Sequence, residues 1–112
     1  MTDSYSIFRD DTGRLQITPG PGGDVLVADF LQTDIRDSTV YCDLVLAMLK
    51  RNMAGRHSEQ DRTIGNIYRL DVNRDQATLT NIHDEQAPAA SIASADLLAL
   101  MQQWRAHLPD RP

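Results

Sequence analysis

The groups in this sequence equipped for chemistry are few: His57, His83, His107, a single cysteine, and sixteen carboxylates. The histidines form no i, i+4 pair of the kind that grips zinc from one helix face, and no serine sits on a recognisable nucleophile elbow. His83 beside Asp84 is the one pair that could act as a general base, with a solvated loop as the simpler reading. His107, expected in the last turn of a helix, is explained by the negative end of the helix dipole. Asp71-Val72-Asn73-Arg74-Asp75 copies the opening of a calcium loop. The copy fails at Gln76, where a glycine must turn the chain, and at Ile82, where a bidentate glutamate must close the site, so a hairpin turn is expected instead. Gly20-Pro21-Gly22-Gly23 lacks the Lys-Ser or Lys-Thr of a phosphate loop, and proline removes an amide donor, leaving a connector. No metal or cofactor is called for.

Cys42, alone, excludes an internal disulfide and a cysteine zinc cluster, and on an apolar helix it should pack as a small hydrophobe. Sixteen acidic against eleven basic residues give a formal charge of −5. Nucleic acid is a poor partner for such a chain, whereas encounter with a basic protein is accelerated by roughly 10 to 10³ at low salt. Solubility alone also accounts for such a charge. Asp84 and Glu85, with Asp71 and Asp75 at the opposite end of the same hairpin and Asp29, Asp34 and Asp37 elsewhere, are the residues from which an acidic docking surface could be built. The start of the chain shows no secretory signal, and the longest apolar run, 44–49, is far short of the ~20 residues of a membrane span. A reducing cytoplasm is expected.

The elements that must position these groups belong to one α+β domain of 112 residues, enough to bury roughly two thirds of the unfolded chain's surface. Tyr5-Ser6-Ile7-Phe8 and Arg14-Leu15-Gln16-Ile17-Thr18 read as a hairpin across Asp10-Asp11-Thr12-Gly13. Val25-Leu26-Val27-Ala28 reads as a third strand. A helix over 38–53 begins at capping residues near Asp34 to Ser38, with Val40, Leu44 and Met48 on one stripe and Tyr41, Val45 and Leu49 beside it. So wide an apolar face predicts a central helix buried on much of its circumference. A polar loop is expected over 56–62. A second hairpin pairs 64–70 with 77–82 across Asn73-Arg74-Asp75-Gln76, Tyr68, Leu70 and Val72 sharing a face that Leu79 joins. The last helix, over 94–108, carries Leu97, Leu100, Met101, Trp104 and Leu108 on its stripe, and burying these contributes on the order of 8 to 15 kcal/mol before entropy is subtracted.

Tyr68, Leu70, Asp71, Leu79, Thr80, Asn81, Asp84, Glu85, Ile92, Leu97, Leu98, Leu100, Met101 and Trp104 form a pattern: a Tyr-x-Leu-Asp strand, a Leu-Thr-Asn strand exit, an Asp-Glu loop and a Leu-Leu-x-Leu-Met-x-x-Trp helix. Over these forty or so residues the chain is similar to immunity proteins of bacterial contact-dependent growth inhibition systems. The resemblance implies a cytoplasmic, non-enzymatic protein that binds one cognate toxin C-terminal domain, commonly a basic nuclease, and covers its active site. The carboxylates Asp71, Asp75, Asp84, Glu85, Asp29 and Asp34, chosen from charge and expected loops, would then stand where substrate phosphates sit. The alternatives are a small enzyme built on His83 with Asp84 or Glu85, and a structural adaptor, whose mark would be an exposed apolar strip beyond what the core needs.

Overall fold

The computed structural model describes residues 4–55, 61–84 and 86–108. The first hairpin forms as expected, β1 (Tyr5–Arg9) pairing antiparallel with β2 (Leu15–Pro19). Its turn is held by Asp10, whose carboxylate accepts from Thr12 N (2.9 Å), Thr12 Oγ1 (2.6 Å), Arg14 N (3.0 Å) and Gln16 Nε2 (2.9 Å). The Thr12 hydroxyl is the first cause holding this carboxyl down at about 2, so it stays ionised at any ordinary pH. Gly13, at φ 84°, supplies the left-handed residue that closes the turn.

The third strand expected over 25–28 is instead a helix, α1 (Val25–Phe30). Asp24 caps it, accepting from Leu26 N at 2.8 Å, and Val25 is left 67% exposed. The four apolar residues are too short a window to reveal a period. Val27, Phe30, Leu31 and Ile35 are all buried, and that spacing is helical. The helix widens into a π-helical turn over Leu31–Ile35, closed by Arg36 N donating to Leu31 O at 2.8 Å.

Helix α2 (Thr39–Met53) starts at Ser38, whose Oγ accepts from Tyr41 N at 3.1 Å. Its extent agrees with the sequence reading, but its rotation does not. The buried side carries Cys42, Val45, Leu46, Met48, Leu49 and Asn52, while Val40 and Leu44 face solvent. The helix lies against the core by one face and is not central to it.

The second hairpin is part of a four-stranded antiparallel meander, β3 (Asp61–Ile64), β4 (Tyr68–Val72), β5 (Gln76–Asn81) and β6 (Ala90–Ala93). The segment expected as one strand over 64–70 breaks at Gly65, so Ile64 ends β3 and Tyr68 opens β4. Of the expected loop over 56–62, residues 56–60 lie outside the described residues and Asp61 and Arg62 belong to β3. Strand β6 is built from alanine, serine and one isoleucine, a composition with little strand signal. Tyr68, Leu70 and Val72 do share the buried face, and Leu70 pairs directly with Leu79.

Helix α3 (Ser94–Ala106) packs on α2 and the sheet, with Leu97, Leu100, Met101 and Trp104 buried and Leu108 beyond its end. Ser94 fixes its start, Oγ donating to Asn73 O at 2.9 Å and N to Asp75 O at 2.9 Å. Phe30 sits in the middle of the core with Tyr41 at 6.5 Å and Tyr68 at 6.3 Å between ring centroids, both edge-on. Among the described residues no helix is long and apolar enough to cross a membrane.

Cys42 is fully buried, and burial pushes its thiol up to about 11. Burial, and then the bond to Asp29, also raise the Tyr68 phenol. Both groups are neutral when folded and ionise more readily when unfolded. Their contribution is therefore intact below pH ~8.5 and is lost as the pH climbs through the raised thiol value. Equilibrium unfolding should show stability falling between about pH 9 and 11, less steeply in Cys42→Ala, with the native thiol silent to an aromatic disulfide reagent at pH 8 until denaturant is added. A thiol that reacts fully in native buffer contradicts this burial.

Candidate functional site

Of the six carboxylates expected to face a partner, the five among the described residues are not gathered on one surface. Asp34 is buried, its two oxygens accepting from Ile67 N (3.1 Å) and Tyr68 N (2.9 Å). Asp29 is half-buried and accepts from the Tyr68 hydroxyl at 2.7 Å. Asp71 is only 6% exposed on the outer face of the sheet, enclosed by Arg62 (Nε to Oδ1, 2.6 Å) and Arg69 (Nε to Oδ2, 2.9 Å). As docking groups, Asp34 and Asp71 are corrected by these positions: a carboxylate already saturated by amides or two guanidiniums has little left to offer a partner. Asp75 and Asp84 are exposed, at opposite ends of the β4–β5 hairpin, and Glu85 lies outside the described residues.

His83 is exposed, and its Nε2 meets the Asn66 carbonyl at 2.8 Å. Asp84 turns to Gln86 N at 3.0 Å, so the two are not joined as base and orienter. His107 Nδ1 lies 2.9 Å from Gln103 O at the end of α3, where the dipole argument placed it. His57 lies outside the described residues. The Asp71–Asp75 segment is a turn in which Asn73 Oδ1 accepts from Asp75 N (3.0 Å) and Gln76 N (2.8 Å). No group of three metal-ligating side chains occurs among the described residues.

Two other features are assembled. The first is the outer face of α2, where Val40 is 80% and Leu44 47% exposed, with Ala47 continuing the strip one turn on. Asp37 and Asp43 border it, Asp43 joined to Arg105 of α3 at 2.8 Å. Single exposed aliphatics are ordinary, but an i, i+4, i+7 row on one helix face has the spacing of a docking surface.

The second is a cleft of about 860 Å³ between the β1–β2 turn and the chain entering α2. Arg9 and Arg14 come from the hairpin, and Gln32, Thr33, Arg36 and Asp37 from the opposite wall. Arg36 is the one non-glycine residue with positive φ among those described, at φ 53° and ψ −126°. Ser38 N donates to Ile35 O at 3.0 Å, which closes a type II′ turn with arginine at the place glycine prefers. The backbone is pinned there by Leu31 O on one side and by Trp104 Nε1, which donates to Arg36 O at 2.8 Å, on the other. Such a conformation costs about 1–3 kcal/mol. Sequence reasoning missed this cleft because its arginines, Arg9, Arg14 and Arg36, are scattered along the chain without a motif, and only the pairing of β1 with β2 and the π-helical turn bring them together.

In comparison with known proteins, the chain matches no protein family, no curated protein and no solved structure.

Replacing Asp34 by alanine should strip two buried amides of their acceptor and lower the unfolding free energy by about 3 kcal/mol. Asp75→Ala and Asp84→Ala should stay within about 0.5 kcal/mol of the parent. Urea unfolding of the three variants checks this, and equal losses would contradict the division into internal and surface carboxylates.

Proposed function

We propose that this chain is a protein-binding module, and that the partner it captures is a basic toxin domain, a nuclease in the simplest case, whose active site it covers in a one-to-one complex. The observation that carries the reading is the Val40–Leu44–Ala47 row on α2, apolar surface that the core leaves unused although the same helix buries six other side chains. Hydrophobic rows bordered by charge are what partner proteins bury, and burying a valine or leucine side chain is worth about 1.5–3 kcal/mol. The formal charge of −5 supports a cationic partner. The similarity of residues 68–104 to immunity proteins supplies the class of that partner.

The acidic contribution is relocated by this reading. Asp37 and Asp43 flank the apolar row, and Asp75 and Asp84 remain solvent-facing, whereas Asp34 and Asp71 hold the fold. The same row would serve an adaptor subunit, and the two readings part at growth rescue.

The test is co-expression with the C-terminal domain of a secreted effector encoded immediately upstream, followed by titration of the purified pair. Val40→Ser with Leu44→Ser should weaken the complex by about 2 kcal/mol or more, roughly thirtyfold in Kd, and abolish rescue while the melting temperature holds. Asp37→Asn with Asp43→Asn should flatten its salt dependence. Full rescue by the serine pair would remove α2 from the interface, and failure of the native chain to rescue would remove the toxin-neutralising reading.

A further inference from the structure

The cleft between the β1–β2 turn and the entry to α2 runs against the charge of the whole. Among the described residues it is lined by three arginines and a single carboxylate, Asp37, in a chain whose formal charge is −5. The guanidiniums of Arg14 and Arg36 make no ion pair or hydrogen bond with any described residue. That of Arg9 is steadied by the carbonyl oxygens of Gly13 and His107, contacts that orient it without neutralising it. The Gln32 side chain is oriented too: its Oε1 accepts from Ile17 N at 3.0 Å, which leaves its amide nitrogen as a donor on the cleft wall.

Both walls are stiff. The Asp10 carboxylate holds the Arg9–Arg14 turn with four hydrogen bonds. The Arg36 backbone is fixed by Leu31, Ile35 and Trp104 through the contacts described above. Arginine in a conformation that favours glycine, with its side chain exposed and without a partner among the described residues, gives the fold no evident return. Guanidiniums carried on a fixed backbone into one cleft, with that of Arg9 itself oriented, make an oxyanion receptor, because their forks of N–H donors match the oxygens of phosphate or carboxylate.

We propose that this cleft is a binding site for a small oxyanion carrying two or more negative charges, held by Arg9, Arg14 and Arg36 with the Gln32 amide as a fourth donor. The volume admits a small molecule, and three of the four charged side chains that line the cleft among the described residues are cationic. A long polyanion such as nucleic acid would extend beyond the cleft over a chain of net negative charge, which disfavours it. Phosphates and free carboxylates present the same oxyanion geometry to a guanidinium fork, so the site is assigned by that shared chemistry, and Asp37 is the acceptor beside it for a ligand hydroxyl.

The test is independent of any protein partner. Titration calorimetry on the full chain with pyrophosphate and with citrate, at low salt, should give binding tighter than about 1 mM for at least one, and the tighter of the two identifies the source of the oxygens. Arg14→Gln should weaken that binding at least tenfold with no change in melting temperature. Arg36→Gly should weaken it at least tenfold while raising the melting temperature, because glycine relieves the strained backbone as the charge is lost. The opposite pattern, a lower melting temperature with affinity retained, would overturn the proposal, as would binding by neither anion below 1 mM. A short single-stranded oligonucleotide that binds more tightly than either small anion would overturn it also.

Discussion

The fold depends on one buried carboxylate. Asp34 lies at the end of a π-helical turn and accepts the amides of Ile67 and Tyr68, which the β3–β4 turn would otherwise leave without partners. The exchange is mutual: a carboxylate removed from water is tolerable only where donors surround it, and two backbone amides in a fixed turn are such a place. Gly65 completes the arrangement by having no side chain, since a Cβ there would run into the Asp34 carboxylate. Residues 33 or more positions apart are thereby locked together, and the segment from α1 to α2 acquires a definite register against the sheet. Asp29 on the Tyr68 hydroxyl and the edge-on packing of Phe30 against Tyr68 hold the same junction from either side.

That register has consequences further along the chain. With Phe30, Leu31 and Ile35 all committed to the core and Asp34 to the turn, the helix must take in an extra residue, and a π-turn is how a helix does so. The chain then has four residues, 35 to 38, in which to reverse before α2, and it does this through the type II′ turn that places Arg36 at positive φ. Trp104 seals the reversal by giving its indole N–H to the Arg36 carbonyl, so the last helix reports on the same corner as the first. The rotation of α2 is settled at this corner as well. Cys42, Val45 and Leu49 turn inward, and Val40 and Leu44 are left over.

Legibility from the sequence followed the length of the periodic signal. Helices α2 and α3 and the strands carrying Tyr68 to Val72 and Ala77 to Asn81 were readable because their patterns run for several turns or pairs. Helix α1 was misread because four adjacent aliphatics are compatible with either period, and the deciding residues, Phe30 to Ile35, lie beyond them. The face of α2 was misread because its apolar residues nearly encircle it, so the choice among stripes belongs to tertiary packing and not to the helix. Strand β6 had no apolar alternation to find. Of the carboxylates, charge alone could not separate Asp34 and Asp71, which the fold consumes, from Asp75 and Asp84, which it leaves in water.

The same distinction changes what the net charge of this chain means. Asp10, Asp24, Asp29, Asp34, Asp61 and Asp71 are occupied with amides, hydroxyls or guanidiniums of the chain itself, so much of the formal acidity is spent on architecture. What reaches the surface is a mosaic. Asp37 and Asp43 border an apolar row on α2, and Arg9, Arg14 and Arg36 face one another in a cleft whose wall also includes Asp37. Fields from such patches decay over about 8–10 Å at physiological salt, so each patch is recognised by its own local sign and not by the average. Asp37 belongs to both, at the junction of the strained turn and the first turn of α2. Its charge is therefore counted in the local sign of each surface: it lowers the positive excess of the cleft and adds to the acidic border of the α2 row.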